Sequence, residues 1–488
     1  MATHVPIGGL TSVELSLVEY VGRGEPLDLA ADDEAVDEAA MRSWGDSRTC
    51  RATVIRDILR GRLAADPDPR GLRFRGARIT GRLDLENVTT DVGLELFDCF
   101  LEEGVHARDA RLASVVLRGC LVEHSAEPPL DGTRLTCRVL LLERARLIGH
   151  SGDGAVCLFG AHIGGQLGCV RTELRNDSGP ALYADSLQVG QGMYLIGGFT
   201  ATGSGEGGAV RLAGAHIGGQ LSCLEVELLN GSGPALHAEG LQVGQGMILI
   251  GRFTVGRDAD VALDLTGARV GGTLFFEPAR LEHPADPHRR LAVDGLTYAG
   301  VPQQISARDW LALLRDGTPG YAAQPYQRLA AGYRALGDER QAREILIAQR
   351  DDQLARTHPR WPEKLWGKIT KVTLGYGYQP WRALLFLAAV VVVSCILAVG
   401  LGAHGALTQT TKTATPGRSC TVVQQVSVGL DLNLPVGTSV ARAACDLTTD
   451  SASATAAWLT AAGWVLRVLA WVFAALFIAG FTSAVRKT

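Results

Sequence analysis

Apolar and polar residues alternate along the middle of the chain. Ala161, Ile163, Leu167 and Cys169 share one parity, as do Leu187, Val189, Met193 and Leu195, and again Ala215, Ile217, Leu221 and Cys223. A period of two with one apolar face predicts β-strand. The strands recur: SGPALYADSLQVGQGMYLIGGFT at Ser178 returns as SGPALHAEGLQVGQGMILIGRFT at Ser232, offset by 54 residues. Inside this long repeat lies a shorter template, apolar-x-aliphatic-Gly-x-x-(Leu/Met). It starts at Ala77, Ala110, Thr133, Ala161, Leu187, Ala215, Leu241, Ala268 and Leu296, with spacings of 33, 23, 28, 26, 28, 26, 27 and 28. The Ala110 copy is poor and reads as out of register by one. Coils of about 27 residues with short strands and glycine corners predict a mainly β fold, a right-handed parallel β-solenoid. Eight or nine coils stacked about 4.8 Å apart would make a rod of roughly 40 Å.

The glycines belong to this geometry. GAHIGGQL occurs at 160–167 and again at 214–221, and GARVGGTL follows at 267–274. Gly164, Gly165, Gly190, Gly218, Gly219, Gly244, Gly271 and Gly272 are expected to turn corners, where a side chain would clash or where φ is positive. A phosphate site needs such glycines once; a rod needs them at every coil or two.

Helices flank the solenoid. Thr11 and Glu14 form a capping-box pattern, with Leu10 and Leu15 as a staple. Val54, Ile55, Ile58 and Leu59 share one helical face. The expected organisation is a helical N-terminal cap (1–70), a solenoid (71–304) and a helical linker with a membrane-surface segment (305–380). A first transmembrane helix (381–404), an external loop (405–457), a second transmembrane helix (458–485) and a cytosolic tail (486–488) follow.

Composition changes the picture near the C-terminus. Hydrophobic residues make up 47% of the chain beside 20% charged ones, which is high for a purely soluble protein. Leu384 to Ala403 carries no charge and is long enough to cross about 30 Å of hydrocarbon. The second apolar stretch contains Arg467, placed to snorkel if the span runs from about Ala462 to Ser483. Trp361, Trp366 and Trp381, together with Trp458 and Trp464, sit where interfacial aromatics belong. Arg356, Arg360, Lys364, Lys368, Lys371 and Arg382 precede the first span, and Arg486 and Lys487 follow the second. The loop has only Lys412, Arg418 and Arg442. The positive-inside rule predicts a two-span plasma-membrane protein with both termini cytoplasmic. The N-terminus lacks a secretory-signal pattern. Cys420 and Cys445 alone lie in the external loop, so a disulfide between them is expected. Cys50, Cys99, Cys120, Cys137, Cys157, Cys169 and Cys223 read as small buried thiols.

Catalytic motifs are scarce. Gly203, Gly205 and Gly208 spell GxGxxG, but a strand pattern follows where a dinucleotide site needs a helix. His162 and His216 recur with outward parity and no third metal ligand. Asp131 and Asp264 are candidates for the carboxylates that sugar-cleaving solenoids use, but no cluster of them can be placed. SVGLDLNLPVG at 427–437 is a poor match to a selectivity filter, with one early glycine followed by alternating Leu and Asp. A net charge of -4 makes no case for nucleic acid.

WGDSRTCRATVIRDILRG at Trp44, then LRFRGARITGRLDLENV at Leu72, and near the end SVGLDLNLPV and AGWVLRVLAWVFAALFIAGFTSAVRK, resemble a bacterial repeat family. Its members are commonly labelled "membrane-associated oxidoreductase". The resemblance covers most of the chain and implies redox chemistry, but carries over no catalytic residue. The residues themselves lead to a scaffold or interaction module with no cofactor. Its expected partners are the lipid bilayer and, through the solenoid faces, a protein or a second copy. An oxidoreductase and a two-helix channel or transport component are the alternatives.

Overall fold

The computed structural model describes residues 9–30, 36–64, 66–357, 361–376, 379, 381–403, 407–409, 418–431, 445–447 and 454–485. The chain divides into two compact units, Met1–Leu346 and Ile347–Thr488.

The first unit is a parallel β-solenoid of about ten turns. One face is a nine-stranded parallel sheet of two-residue strands, running from Leu83–Asp84 to Leu291–Ala292. Its rungs stack in register, Leu130 beside Val156, Val156 beside Leu182 and Leu182 beside Val210. The expected inward parity holds: Cys169, Leu195, Cys223, Leu249 and Phe276 are successive rungs of one buried ladder. Burial pushes the Cys169 and Cys223 thiols up to about 12, so both stay protonated packing groups.

Two template positions differ from the expected register. Arg111 pairs with Thr136 and Thr136 with His162, so the column of Ala161 continues through Leu135 and Ala110. Ala110 is therefore in register, and Thr133 is two residues early. Ala77 precedes Arg78, which pairs with Phe100 in a different column. The same short apolar-glycine pattern serves corners of two faces, which is why sequence alone merged them.

The coil corners use two devices. Asn87, Asp109, Arg134, Gly160, Ser186, Gly214, Gly240, Gly267 and Gly295 turn through the left-handed region, with φ between 55° and 76°. The eight predicted corner glycines do not; none of them has a positive φ. Their requirement is close approach. A Cβ on Gly218 would lie 2.5 Å from the Gly190 carbonyl oxygen, and one on Gly165 2.6 Å from that of Arg138. Gly164, Gly190, Gly218, Gly244 and Gly271 form a column up the rod, each from Gly190 onward packed on the one below. Gly164 has the most room: a Cβ there would stand 3.9 Å from its nearest neighbour, the Cys137 carbonyl oxygen.

Helices close both ends. α1 (Ser12–Arg23) has the Thr11–Glu14 capping box, and α3 (Ala52–Leu59) buries Val54, Ile55, Ile58 and Leu59; between them lies α2 (Glu38–Ser43). Leu15 is 47% exposed, so the expected staple is not a buried contact. Glu14 also accepts from Arg51 Nε at 2.8 Å and from the Arg51 backbone N–H at 3.0 Å. Burial opposes its charge, but the Arg51 hydrogen bonds outweigh this and hold the carboxyl below its usual range. The N-terminal segment is not purely helical. Leu27–Asp28 pairs with Leu72–Arg75, and Thr49–Arg51 with Arg78–Thr80, so the cap supplies the first rung.

At the other end, α4 (Ala307–Asp316) and α5 (Ala323–Ala335) belong to the solenoid unit, within the stretch expected to be a linker. Trp310 meets Phe276 edge-on at 5.2 Å and Tyr298 at 6.5 Å. The Gly317 carbonyl accepts from the Leu291 N–H at 2.9 Å, satisfying the last rung.

In the second unit, α7 (Trp361–Leu374) precedes two apolar helices, α8 (Trp381–Ala403) and α10 (Ala454–Val485). Phe386 stacks on Phe473 at 5.4 Å between them. Between α8 and α10 lie α9 (Val422–Asp431) and the antiparallel pair Leu407–Gln409 and Cys445–Leu447. α6 (Glu339–Arg356) leads into this unit.

Candidate functional site

The nine-stranded sheet turns a row of polar side chains outward. In each two-residue strand the first residue is a buried aliphatic; the second is partly exposed in seven strands, but Asp131 and Cys157 are buried under their neighbours, and the last strand ends the polar row with Ala292. The outward rungs read Asp84, His106, Asp131, Cys157, Tyr183, Arg211, His237 and Asp264 in order along the rod. Parallel stacking spaces them at about 4.8 Å. Sequence reading missed this row because the repeat keeps position but not identity there. The available signal was the aliphatic-polar pair that opens each coil, as in LD, VH, LY and VR.

Histidine and carboxylate groups on neighbouring rungs approach one another, and groups beside the row hydrogen-bond to the carboxylates. His106 Nδ1 lies 3.4 Å from Asp131 Oδ2, and Arg108 donates to that oxygen at 3.0 Å. The other oxygen, Oδ1, accepts from the Thr133 hydroxyl at 2.6 Å and from its N–H at 3.0 Å. His237 Nδ1 sits 3.1 Å from Asp264 Oδ2, while Oδ1 accepts from the Thr266 N–H at 3.0 Å. Arg211 donates to Asp185 at 2.6 Å and lies over the Tyr183 ring at 5.1 Å. Burial disfavours the charge on Asp131, but His106, Thr133 and Arg108 together hold its carboxyl well below the usual range. Asp264 is lowered in the same way, with His237 and Thr266 overcoming burial.

These groups are poor acid–base catalysts. A carboxylate held ionised is a weak base near neutral pH. Burial raises the Cys157 thiol, although the Thr133 hydroxyl 3.3 Å away opposes this, so the thiol stays protonated. Asp131 and Asp264 stand five rungs apart, about 24 Å, far beyond the separation of a hydrolytic carboxylate pair. A depression of about 210 Å³ lies over Arg108, Asp131, Thr133, Arg134, Asp153, Cys157, Phe159 and Tyr183. It offers hydrogen-bonding groups of both signs beside an aromatic pair whose ring centroids are 5.7 Å apart.

Among the described residues, Asp84, Glu86 and His106 also converge within 4.8 Å in a metal-like arrangement. Arg56 lies 2.8 Å from Asp84, and Arg82 lies 2.7 Å from His106 Nδ1, so positive charge already occupies this corner.

The other sequence candidates are dispersed. His162 and His216 face outward on the neighbouring face, each beside Gln188, with His162 Nδ1 3.3 Å from its Oε1. Gly203 ends strand Thr200–Gly203, and Gly205 and Gly208 lie in the loop that leads into strand Val210–Arg211, where a dinucleotide site would need a helix. Cys420 and Cys445 are joined by a disulfide across 25 residues. Trp361 and Trp381 are exposed, and Arg467 is half-buried within the apolar stretch Ala461–Ala479. The side chains of Lys364, Trp366 and Trp458 lie outside the described residues. So do Arg360, Lys412, Arg442, the tail 486–488 and most of the loop 405–457. No family model, no curated protein and no solved structure matches the chain.

Proposed function

We propose that the chain is a membrane-anchored scaffold, with its solenoid and both termini on the cytoplasmic side of the plasma membrane. The observation that carries the anchoring is the surface of α8 and α10. Within Trp381–Ala403 and Ala461–Ala479, only 11% and 6% of the residues of the 18-residue apolar window are buried. A core helix of a soluble protein would be mostly buried. α7 supports the same reading: Trp361, Leu365, Ile369 and Val372 form an outward stripe at helical spacing, while Gly367 packs on Leu354 of α6. Lys368 and Lys371 lie beside that stripe, in the turns of α7 that precede α8.

The outward row of the nine-stranded sheet suits a binding surface. Its carboxylates and histidines, with Tyr183 and Arg211 between them, stand on rungs of fixed spacing, which matches an extended protein segment or a second solenoid.

The full chain should stay with membranes through an alkaline carbonate wash; release into the supernatant would defeat the anchoring. After reduction of intact cells, Cys420 and Cys445 should label with an impermeant maleimide, and failure to label would reverse the orientation. Crosslinking from the row, at Tyr183 and Arg211 positions, should capture a protein that Tyr183→Ala/Arg211→Ala loses.

The sequence resemblance makes membership of the membrane-associated oxidoreductase family a further proposal. Flavin or haem absorbance in the purified protein, or thermal stabilisation by a nicotinamide cofactor, would favour its redox reading over the scaffold.

A further inference from the structure

Along the solenoid, aromatic rings are covered by arginines that a carboxylate holds in place. Arg118 lies 5.6 Å from the Phe97 ring centroid and pairs with Glu143 at 2.7 Å. Arg42 lies 5.5 Å from the Phe100 ring and donates to Glu123 at 2.7 Å. Arg211 lies 5.1 Å from the Tyr183 ring and donates to Asp185 at 2.6 Å. In each case the ring face attracts the cation and the carboxylate fixes its position.

Phe159 and Asp153 supply a ring and a carboxylate in the depression over the outward row. Phe159 is 39% exposed, and the Tyr183 ring meets it at a tilt of 40°, so stacking does not cover it. Asp153 is exposed, and among the described residues its carboxylate makes no hydrogen bond or ion pair. Its loop is nevertheless fixed. The Asp153 N–H donates to the buried Ser151 hydroxyl at 3.1 Å, and the Ser151 N–H donates to Asn176 Oδ1 at 3.1 Å. The arginines that line the depression are engaged elsewhere, Arg108 with Asp131 at 3.0 Å and Arg134 with Asp109 at 2.6 Å. With Arg211 on Asp185, the carboxylate left without a counter-ion is Asp153. The volume of about 210 Å³ is below the roughly 300 Å³ at which small-molecule sites begin, and suits a single side chain.

We propose that this depression is the anchor pocket for an arginine of an extended partner segment, with its guanidinium group against Phe159 and bonded to Asp153. The proposal rests on the reading of the row as a protein-binding surface and names what that surface recognises. A lysine ammonium group meets the charge alone. A planar guanidinium group also stacks on the ring and binds a carboxylate through two N–H groups.

The test uses the full chain in detergent micelles and N-acetyl-arginine methylamide as the probe, read by saturation-transfer NMR. The probe should bind several-fold better than its uncharged citrulline counterpart and its lysine counterpart. Phe159→Ala and Asp153→Asn should each weaken it several-fold, while Phe159→Tyr and Asp153→Glu restore it. Both positions are exposed, so the urea midpoint of each variant should match that of the parent chain. Equal binding of the citrulline or lysine probe, or an arginine signal that survives both Phe159→Ala and Asp153→Asn, would overturn the proposal. Crosslinking from the Tyr183 and Arg211 positions separates this failure from that of the row. The captured segment should contain an arginine whose replacement by glutamine abolishes capture. Capture that Asp153→Asn and Phe159→Ala leave intact would overturn the arginine pocket alone. No captured protein and no bound probe would overturn the pocket and the binding row together.

Discussion

Single atoms decide where glycine is obligatory in this rod. Gly218 has an ordinary backbone conformation, yet a Cβ there would stand 2.5 Å from the Gly190 oxygen of the coil below. Backbone cannot yield as a flexible side chain does. Gly218→Val should therefore destabilise the solenoid by about 1–3 kcal/mol, the usual scale for an overpacked core, read as a lower midpoint in urea. An unchanged midpoint would show that the coils can separate locally. The acidic rungs make a second prediction at this scale. Asp131 and Asp264 have folded values below their unfolded ones, so their contribution is present above about pH 4 and is lost as pH falls through the folded values. Thermal stability should fall on acidification below about pH 4, and Asp131→Asn/Asp264→Asn should flatten that fall. The recurrence of GAHIGGQL revealed that these glycines are structural; it did not reveal close approach rather than positive φ as the reason. Positive φ falls one position before every template start except Thr133, on Asp109 and Ser186 as well as on glycine, and Arg134 takes that place before Leu135.

At the scale of elements, periodicity was a sound guide where one face is buried. Strands over 161–169 and 215–223 and the helix carrying Val54, Ile55, Ile58 and Leu59 follow directly from it. It was weaker where an element finishes another element's sheet. Leu27–Asp28 and Thr49–Arg51 are short strands between helices, visible only through their partners. α4 is similar: its sequence reads as an independent helix, but Trp310 is 1% exposed and wedged against Phe276 and Tyr298. Trp310→Ala should cost about 3–5 kcal/mol by opening a cavity at the end of the rod. Urea unfolding of the full chain followed by far-UV circular dichroism measures it. A loss below about 1 kcal/mol would mean that the cap is dispensable. α9 was the hardest element to foresee, because VVQQVSVGLD has mixed polarity and its helix is positioned by contact with α8.

For the whole molecule, the sequence by itself determined the architecture: a coil repeat, apolar ladders of period two, and two uncharged or nearly uncharged stretches long enough to span a bilayer. These are one-dimensional properties, since each coil packs chiefly on its neighbours and a membrane helix satisfies its own backbone. Cysteine distribution belonged to the same class, with buried thiols in the solenoid unit and the two loop cysteines in a disulfide. The candidate binding row was only half legible. Asp131 and Asp264 were recognised singly, but the register that strings them with His106, Cys157, Tyr183, Arg211 and His237 was not. Only the tertiary structure decided that register, the closing of both rod ends by strands and helices distant in sequence, and the packing of α9 against α8. Each depends on which backbone lies beside which, and coil lengths that vary by several residues shift that pairing without changing the local apolar pattern.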